Sequence, residues 1–154
     1  MKYLVMCIGN RDGGDDAIGP YIADKLKKEN CKDIFVLDCG TVPENYTSVV
    51  KKHNPKNLVI IDAVTMGLNP GDIRIVPKEK IGTMHISTHG IPLSVLMMYL
   101  KPYAENIFLI GIEPKILSGK ITKSVKKSGD KLVEIIKNKE IRKIEEITIE
   151  KHRM

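Results

Sequence analysis

Apolar positions follow two rhythms along this chain: short β-branched runs, and longer stretches with the three-to-four-residue spacing of helices. Lys2–Ile8 alternates poorly and ends at Gly9, as expected for a strand buried on both faces. From about Asp16 to Glu29, Ile18, Ile22 and Leu26 recur at helical spacing between lysines. Pro20 belongs in a helix's first turn, so this helix starts beside Asp15-Asp16. Ile34–Leu37 is a second strand, and Pro43-Glu44-Asn45 opens a short helix ending near His53-Asn54-Pro55. Leu58–Ile61 is a third strand that delivers Asp62. Residues 66–72 (Met-Gly-Leu-Asn-Pro-Gly-Asp) carry turn chemistry, and Asp72–Val76 alternates as a short fourth strand. Ser87–Tyr99 reads as a helix with Pro92 in its first turn and Leu93, Leu96, Met97 and Leu100 inward. Ile107–Ile112 is a fifth strand, stopped by Glu113-Pro114. Thr122 caps a long lysine-rich helix that buries Val125, Leu132 and Ile136, and the tail after Lys139 either docks as a strand or frays.

Strands alternating with helices predict an α/β fold: a three-layer α/β/α sandwich around a mostly parallel, five-stranded twisted sheet. A length of 154 residues is that of one domain, spanning 1–154. No apolar run reaches the ~18 residues of a membrane span. The N-terminal run ends in a glycine motif rather than a small-residue cleavage site, so it reads as a first strand and not a signal peptide. Cys7, Cys31 and Cys39 are odd in number and form no C-x-x-C pair, which points to a reducing cytoplasm.

The net charge of +6 is concentrated between Lys115 and Lys139, where lysines greatly outnumber Asp130 and Glu134. The stretch lacks arginine and interleaved aromatics, so a solvated helix face is the better reading than a nucleic-acid site.

Four polar landmarks fall at the ends of predicted strands: Gly9-Asn10 with Gly14-Asp15-Asp16, Asp38-Cys39-Gly40-Thr41, Asp62-Ala63, and Thr88-His89-Gly90. Ligands of open α/β sheets bind outside the carboxyl ends of the strands. One acid at a helix start is ordinarily a cap or a dipole partner, but Asp15 and Asp16 together leave one in surplus. Gly13-Gly14 lets the backbone bring that second carboxylate into the crevice. The glycines do not spell a dinucleotide-binding motif, the adjacent acids repel pyrophosphate, and no lysine stands where a P-loop needs one. Carboxylates with a histidine suit a metal that polarises a carbonyl, and two aspartates sharing a proton could activate water without metal. A Cys39–His89 nucleophile pair ranks below both, because Asp38 disfavours the neighbouring thiolate.

These residues resemble the [NiFe]-hydrogenase maturation endopeptidases. The likeness rests on Gly9-Asn10 and residues 14–19 (Gly-Asp-Asp-Ala-Ile-Gly), on residues 38–45, on Asp62 through Ile75, and on Ser87-Thr88-His89 with Pro92-Leu93. It covers Met1 to Val133, and residues 66–71 look most like the subgroup that processes hydrogenase 3. The resemblance implies removal of a C-terminal extension from the hydrogenase large-subunit precursor after nickel insertion. The nickel would be supplied by that substrate and recognised by Asp16, Asp62 and His89, which would also be the catalytic residues. Aspartate at position 16 replaces the glutamate of some members and keeps an oxygen ligand at shorter reach. Asp38 and Gly40 would contribute to substrate recognition. Family members commonly carry Gly-Gly where this chain has Cys39-Gly40, which puts the backbone freedom at position 39 in question. An incomplete oxygen and nitrogen ligand set could also accept another divalent ion in isolation. The rival readings are a metal-free aspartic peptidase using Asp16 and Asp62, and a non-proteolytic accessory protein or nickel-sensing chaperone.

Overall fold

The computed structural model describes residues 2–82, 85–86 and 91–148. Among them are six strands: β1 (Tyr3–Ile8), β2 (Ile34–Gly40), β3 (Asn57–Thr65), β4 (Ile73–Ile75), β5 (His85–Ile86) and β6 (Asn106–Ile112). The main sheet runs β2-β1-β3-β6-β4, and β5 pairs with β3 alone. The first four of these strands are parallel, whereas β4 lies antiparallel on β6. The α/β fold and mostly parallel sheet expected from the sequence are therefore present.

Alternation along β1 and β3 divides the core into two layers. Leu4, Met6, Ile8, Leu58, Ile60 and Val64 face one side, where Val50 of α2 (Thr47–His53) and Leu93, Leu96 and Leu100 of α4 (Leu93–Leu100) cover them. Val5, Cys7, Val59, Ile61 and Ala63 face the other, against Ile18, Ile22 and Leu26 of α1 (Ile18–Glu29) and Val125, Leu132 and Ile136 of α5 (Lys123–Lys137). The one-turn α3 (Lys78–Ile81) packs against α4. None of the described helices is long and apolar enough to cross a membrane.

Several boundaries differ from the sequence pattern, each because a tertiary partner moved them. β3 does not stop at Ile61: Asp62 and Ala63 continue the ladder opposite Gly111 and Ile112, and Val64 and Thr65 pair with β5. β2 likewise runs on to Gly40, with Asp38 inside it opposite Cys7. A 3-10 turn (Gly14–Ala17) precedes α1, so the acidic pair sits before the α-helix proper. Pro92 is the residue before α4 and adopts an extended conformation rather than lying in the first turn. Thr122 occupies the position before α5, yet its side chain makes no helix cap. The tail docks: Ile75 donates its N–H to Glu145 O and accepts one from Ile147 N, each at 2.9 Å, adding a parallel bridge beyond β4.

Candidate functional site

Strand order reverses between β1 and β3, so the crevice of an open α/β sheet lies between their carboxyl ends. Two carboxylates are delivered there. Asp16 lies on the 3-10 turn that follows β1, and that turn packs against β3. Asp62 lies within β3 on the parity of Leu58, Ile60 and Val64, facing the α2 and α4 layer. Asp16 is 5% exposed and Asp62 fully buried, unlike ordinary capping acids at a loop. Asp16 Oδ2 accepts the N–H of Asn10 at 3.0 Å, and Asp62 Oδ1 accepts the N–H of Ala63 at 2.8 Å. Gly9 makes this approach possible, because a Cβ there would stand 2.0 Å from the carbonyl oxygen of Asp16.

The paired acids have separate fates. Asp15 is sequestered: Oδ2 accepts the N–H groups of Lys115 (2.8 Å) and Ile116 (3.1 Å). Its Oδ1 accepts the N–H of Thr122 at 2.7 Å, and the Thr122 hydroxyl lies 3.0 Å from both oxygens. Asp15 is thus a tie between the loop after β1 and the loop after β6, rather than a helix cap. The surplus acid at the crevice is Asp16.

Asp38 stands at the rim on β2, where Arg11 reaches it. The guanidinium forks onto Asp24 at 2.9 and 3.0 Å and touches Asp38 Oδ2 at 2.5 Å. Hydrogen bonds donated to Asp24 and then to Asp38 hold Arg11 above its ordinary range, and Arg11 holds the Asp24 carboxyl below its own. An open cleft of about 350 Å³ runs beside this cluster, lined by residues including Asn10, Arg11, Asp38, Gly40 and Tyr46. Asp16 and Asp62 do not line it.

The backbone question at position 39 resolves one residue later. Between Cys7 and Ile8 the register with β2 shifts, leaving Cys39 as the extra residue of a bulge. The left-handed conformation falls on Gly40 (φ 55°), whose carbonyl accepts the N–H of Gly9 at 2.8 Å. Cys39 turns into the core and is 1% exposed. Burial first, and Asp38 second, push its thiol up to about 12, so at neutral pH it is a protonated core group and a poor nucleophile.

His89, the third expected ligand, lies outside the described residues, as do Thr88 and Gly90. Among the described residues, no three His, Cys, Asp or Glu side chains are grouped to hold a metal ion. Asp16 and Asp62 are the two expected ligands among the described residues, and a trio completed by His89 involves a residue beyond them.

Glu113 is a loop-anchoring residue that the sequence pattern presented only as a strand stop. It is 5% exposed, and Oε1 accepts the N–H groups of Met66 (2.7 Å) and Leu68 (3.2 Å). Its own N–H and carbonyl bond Asp72 O and Gly71 N. The loop leaving β3 is thereby anchored at both ends. The available signal was an acid directly after a buried run and before a proline. In the lysine-rich helix, Lys137 pairs with Glu29 and Glu134, while Asp130 binds Lys25 and the Tyr21 hydroxyl, fastening α5 to α1.

Comparison with known proteins gives this geometry its family. The HycI hydrogenase maturation protease profile matches residues 20–139. A protein of Methanocaldococcus jannaschii, provisionally named a hydrogenase maturation protease, is 38% identical over 97% of this chain and 92% of its own length. The hydrogenase 3 maturation protease of Escherichia coli K12 is 37% identical over 76% of each chain. The solution structure of the E. coli endopeptidase HycI superposes with a TM-score of 0.86 at 29% identity, covering 99% of this chain and all of that one. The crystal structure of HycI from Thermococcus kodakarensis KOD1 gives 0.79 at 31% identity, over 91% of this chain and 92% of its own. The chain belongs to the hydrogenase maturation protease family.

Proposed function

We propose that this protein is an endopeptidase that removes the C-terminal extension from a [NiFe]-hydrogenase large-subunit precursor once nickel has been inserted. The observation that carries the reading is the delivery of two buried carboxylates, Asp16 and Asp62, to the β1–β3 crevice of a fold belonging to this family. Nickel arrives as part of the substrate, held by the precursor. Asp16, Asp62 and His89 are the residues that would complete its coordination, and bound nickel would polarise the scissile carbonyl. Two carboxylates and an imidazole form too small a ligand set to retain the metal tightly alone, so cleavage becomes conditional on nickel loading. Asp38 and Gly40 border the open cleft through which a peptide would reach the crevice. The three free thiols support a reducing, cytoplasmic setting.

The test is to incubate the protein with precursor prepared with and without inserted nickel and to follow precursor mass. Loss of the extension from the nickel-loaded form alone is the expected result, abolished by Asp16→Asn, Asp62→Asn or His89→Ala. Equal cleavage of both forms would replace the nickel-gated mechanism by an aspartic one in which Asp16 and Asp62 share a proton. Binding without any change in mass would sink the peptidase reading and favour a chaperone.

A further inference from the structure

The helix α4 reads Leu-Ser-Val-Leu-Met-Met-Tyr-Leu, without a single charged side chain. Leu93, Leu96 and Leu100 account for its inner side, where they seal the sheet. Its outer side is also apolar: Val95, Met98 and Tyr99 are 48%, 72% and 49% exposed. They stand at i, i+3 and i+4, and Ile91, four residues ahead of Val95, is exposed as well. Single exposed apolar residues are ordinary, but a surface helix normally turns charged or polar groups outward. An apolar helix with one side already covered is built for a cover on the other.

Topology and charge say what kind of cover. β5 pairs with the carboxyl end of β3 at Val64 and Thr65, while β6 begins opposite Asn57 at the other end. α4 lies between β5 and β6, so it runs back from the crevice rim along the layer that covers the Asp62 face. A macromolecule whose chain end enters the crevice therefore has this stripe beside its path. Cations border the stripe: α2 carries Lys51 and Lys52 in its last turn, and Lys101 follows α4 directly. Lys51 Nζ lies 4.6 Å from the Tyr99 ring centroid and 5.5 Å from that of Tyr103. Glu44 before α2 and Glu79 on α3 are the acids of the flanking elements, which leaves the border positive.

We propose that the outer face of α4, bordered by Lys51 and Lys101, is the docking surface for the protein substrate and receives an apolar patch flanked by carboxylates. The proposal rests on the endopeptidase reading for the identity of that substrate. Apolar contact centred on Met98 would supply affinity, and the lysines would set orientation and encounter rate.

The experiment measures precursor affinity by calorimetry and processing as separate KM and kcat, for the wild type, Val95→Glu/Met98→Glu and Lys51→Glu. Met98→Glu alone, at the most exposed position, guards against misfolding, and thermal melts report the fold. The double variant is expected to raise both Kd and KM by about tenfold with kcat within about twofold and an unchanged melt. Lys51→Glu should weaken binding less and reduce its salt dependence. Unchanged precursor affinity in the folded double variant would overturn the proposal. So would a wild-type dimer that the double variant converts to monomer without losing precursor affinity, because the stripe would then serve a second copy. A wild type that binds precursor without shortening it would reject the endopeptidase reading and leave docking to be decided by the affinities.

Discussion

Asp15 and Thr122 are joined through both the N–H of Thr122 (2.7 Å) and its hydroxyl (3.0 Å), which converge on one carboxylate. The contact ties the exit of β1 to the entry of α5. A threonine before a helix ordinarily spends its side chain on the helix's own N–H groups. Here the hydroxyl serves Asp15, whose neighbour Asp16 is thereby held at the crevice.

Replacing Asp15 by alanine would leave the partly buried N–H groups of Lys115, Ile116 and Thr122 without their acceptor. Unsatisfied donors cost about 1–3 kcal/mol each before relaxation and hydration, so a net loss of about 3 kcal/mol is expected in denaturant unfolding. Asp15→Asn should be milder, about 2 kcal/mol, because one oxygen remains while the amide NH2 faces other donors. A change below about 0.5 kcal/mol in both would disprove the tie.

Glu113 makes a comparable local prediction. Glu113→Ala should cost about 2 kcal/mol and hasten hydrogen exchange at the N–H groups of Met66 and Leu68 above all others. Glu113→Gln keeps one carbonyl acceptor and should cost about 1 kcal/mol, with smaller changes at the same two amides. Unaltered exchange at Met66 in the alanine variant would remove Glu113 from its anchoring role.

Gly9 and Gly40 should respond differently to alanine. Gly40 has φ 55° with open space around its missing side chain, so Gly40→Ala should cost only backbone strain, about 1 kcal/mol, in thermal unfolding. Gly9→Ala would drive a methyl into the Asp16 carbonyl and displace the turn. Processing should lose kcat in the second variant, whereas the first, at the cleft border, should act on KM and leave kcat within about twofold. Equal processing by both would mean the Gly9–Asp16 approach has no role.

The Cys39 thiol gives a pH signature. Its folded-state value of about 12 lies above the ordinary 9.0, so the folded chain holds the proton longer than the unfolded one. Its contribution to stability is complete below pH 9 and is lost as pH rises from about 9 towards 12, because the unfolded thiol ionises first. Cys39→Ala should flatten that alkaline decline while processing stays within about twofold of the wild type. A loss of processing as severe as that expected for Asp16→Asn would restore Cys39 as a nucleophile.

The layers of the fold were legible because burial writes itself locally. Leu58-Val59-Ile60-Ile61 can only be a strand covered on both faces, and Ile18, Ile22 and Leu26 only one side of a helix. The rim position of Asp16 and Asp38 followed from where those runs end. Asp62 was less clear, since it proved to lie inside β3: its strand extends because β5 and β6 offer pairing partners, which no local pattern displays. The antiparallel direction of β4 has the same origin.

By itself, then, the sequence determined the five strands of the main sheet, the longer helices that cover them, their alternation and the placing of Asp16, Asp38 and Asp62 towards one end of that sheet, since these depend on the spacing of apolar residues in the chain. The short α3 and β5 had no such signal. The tertiary structure alone decided which of two adjacent aspartates is structural and which faces the crevice. It also decided that Gly40 rather than position 39 carries the left-handed turn, and that Glu113 anchors a loop. These depend on hydrogen bonds and register between segments far apart in the chain, Asp15 with Thr122 and Glu113 with Met66, whose partners exist only once the sheet has formed.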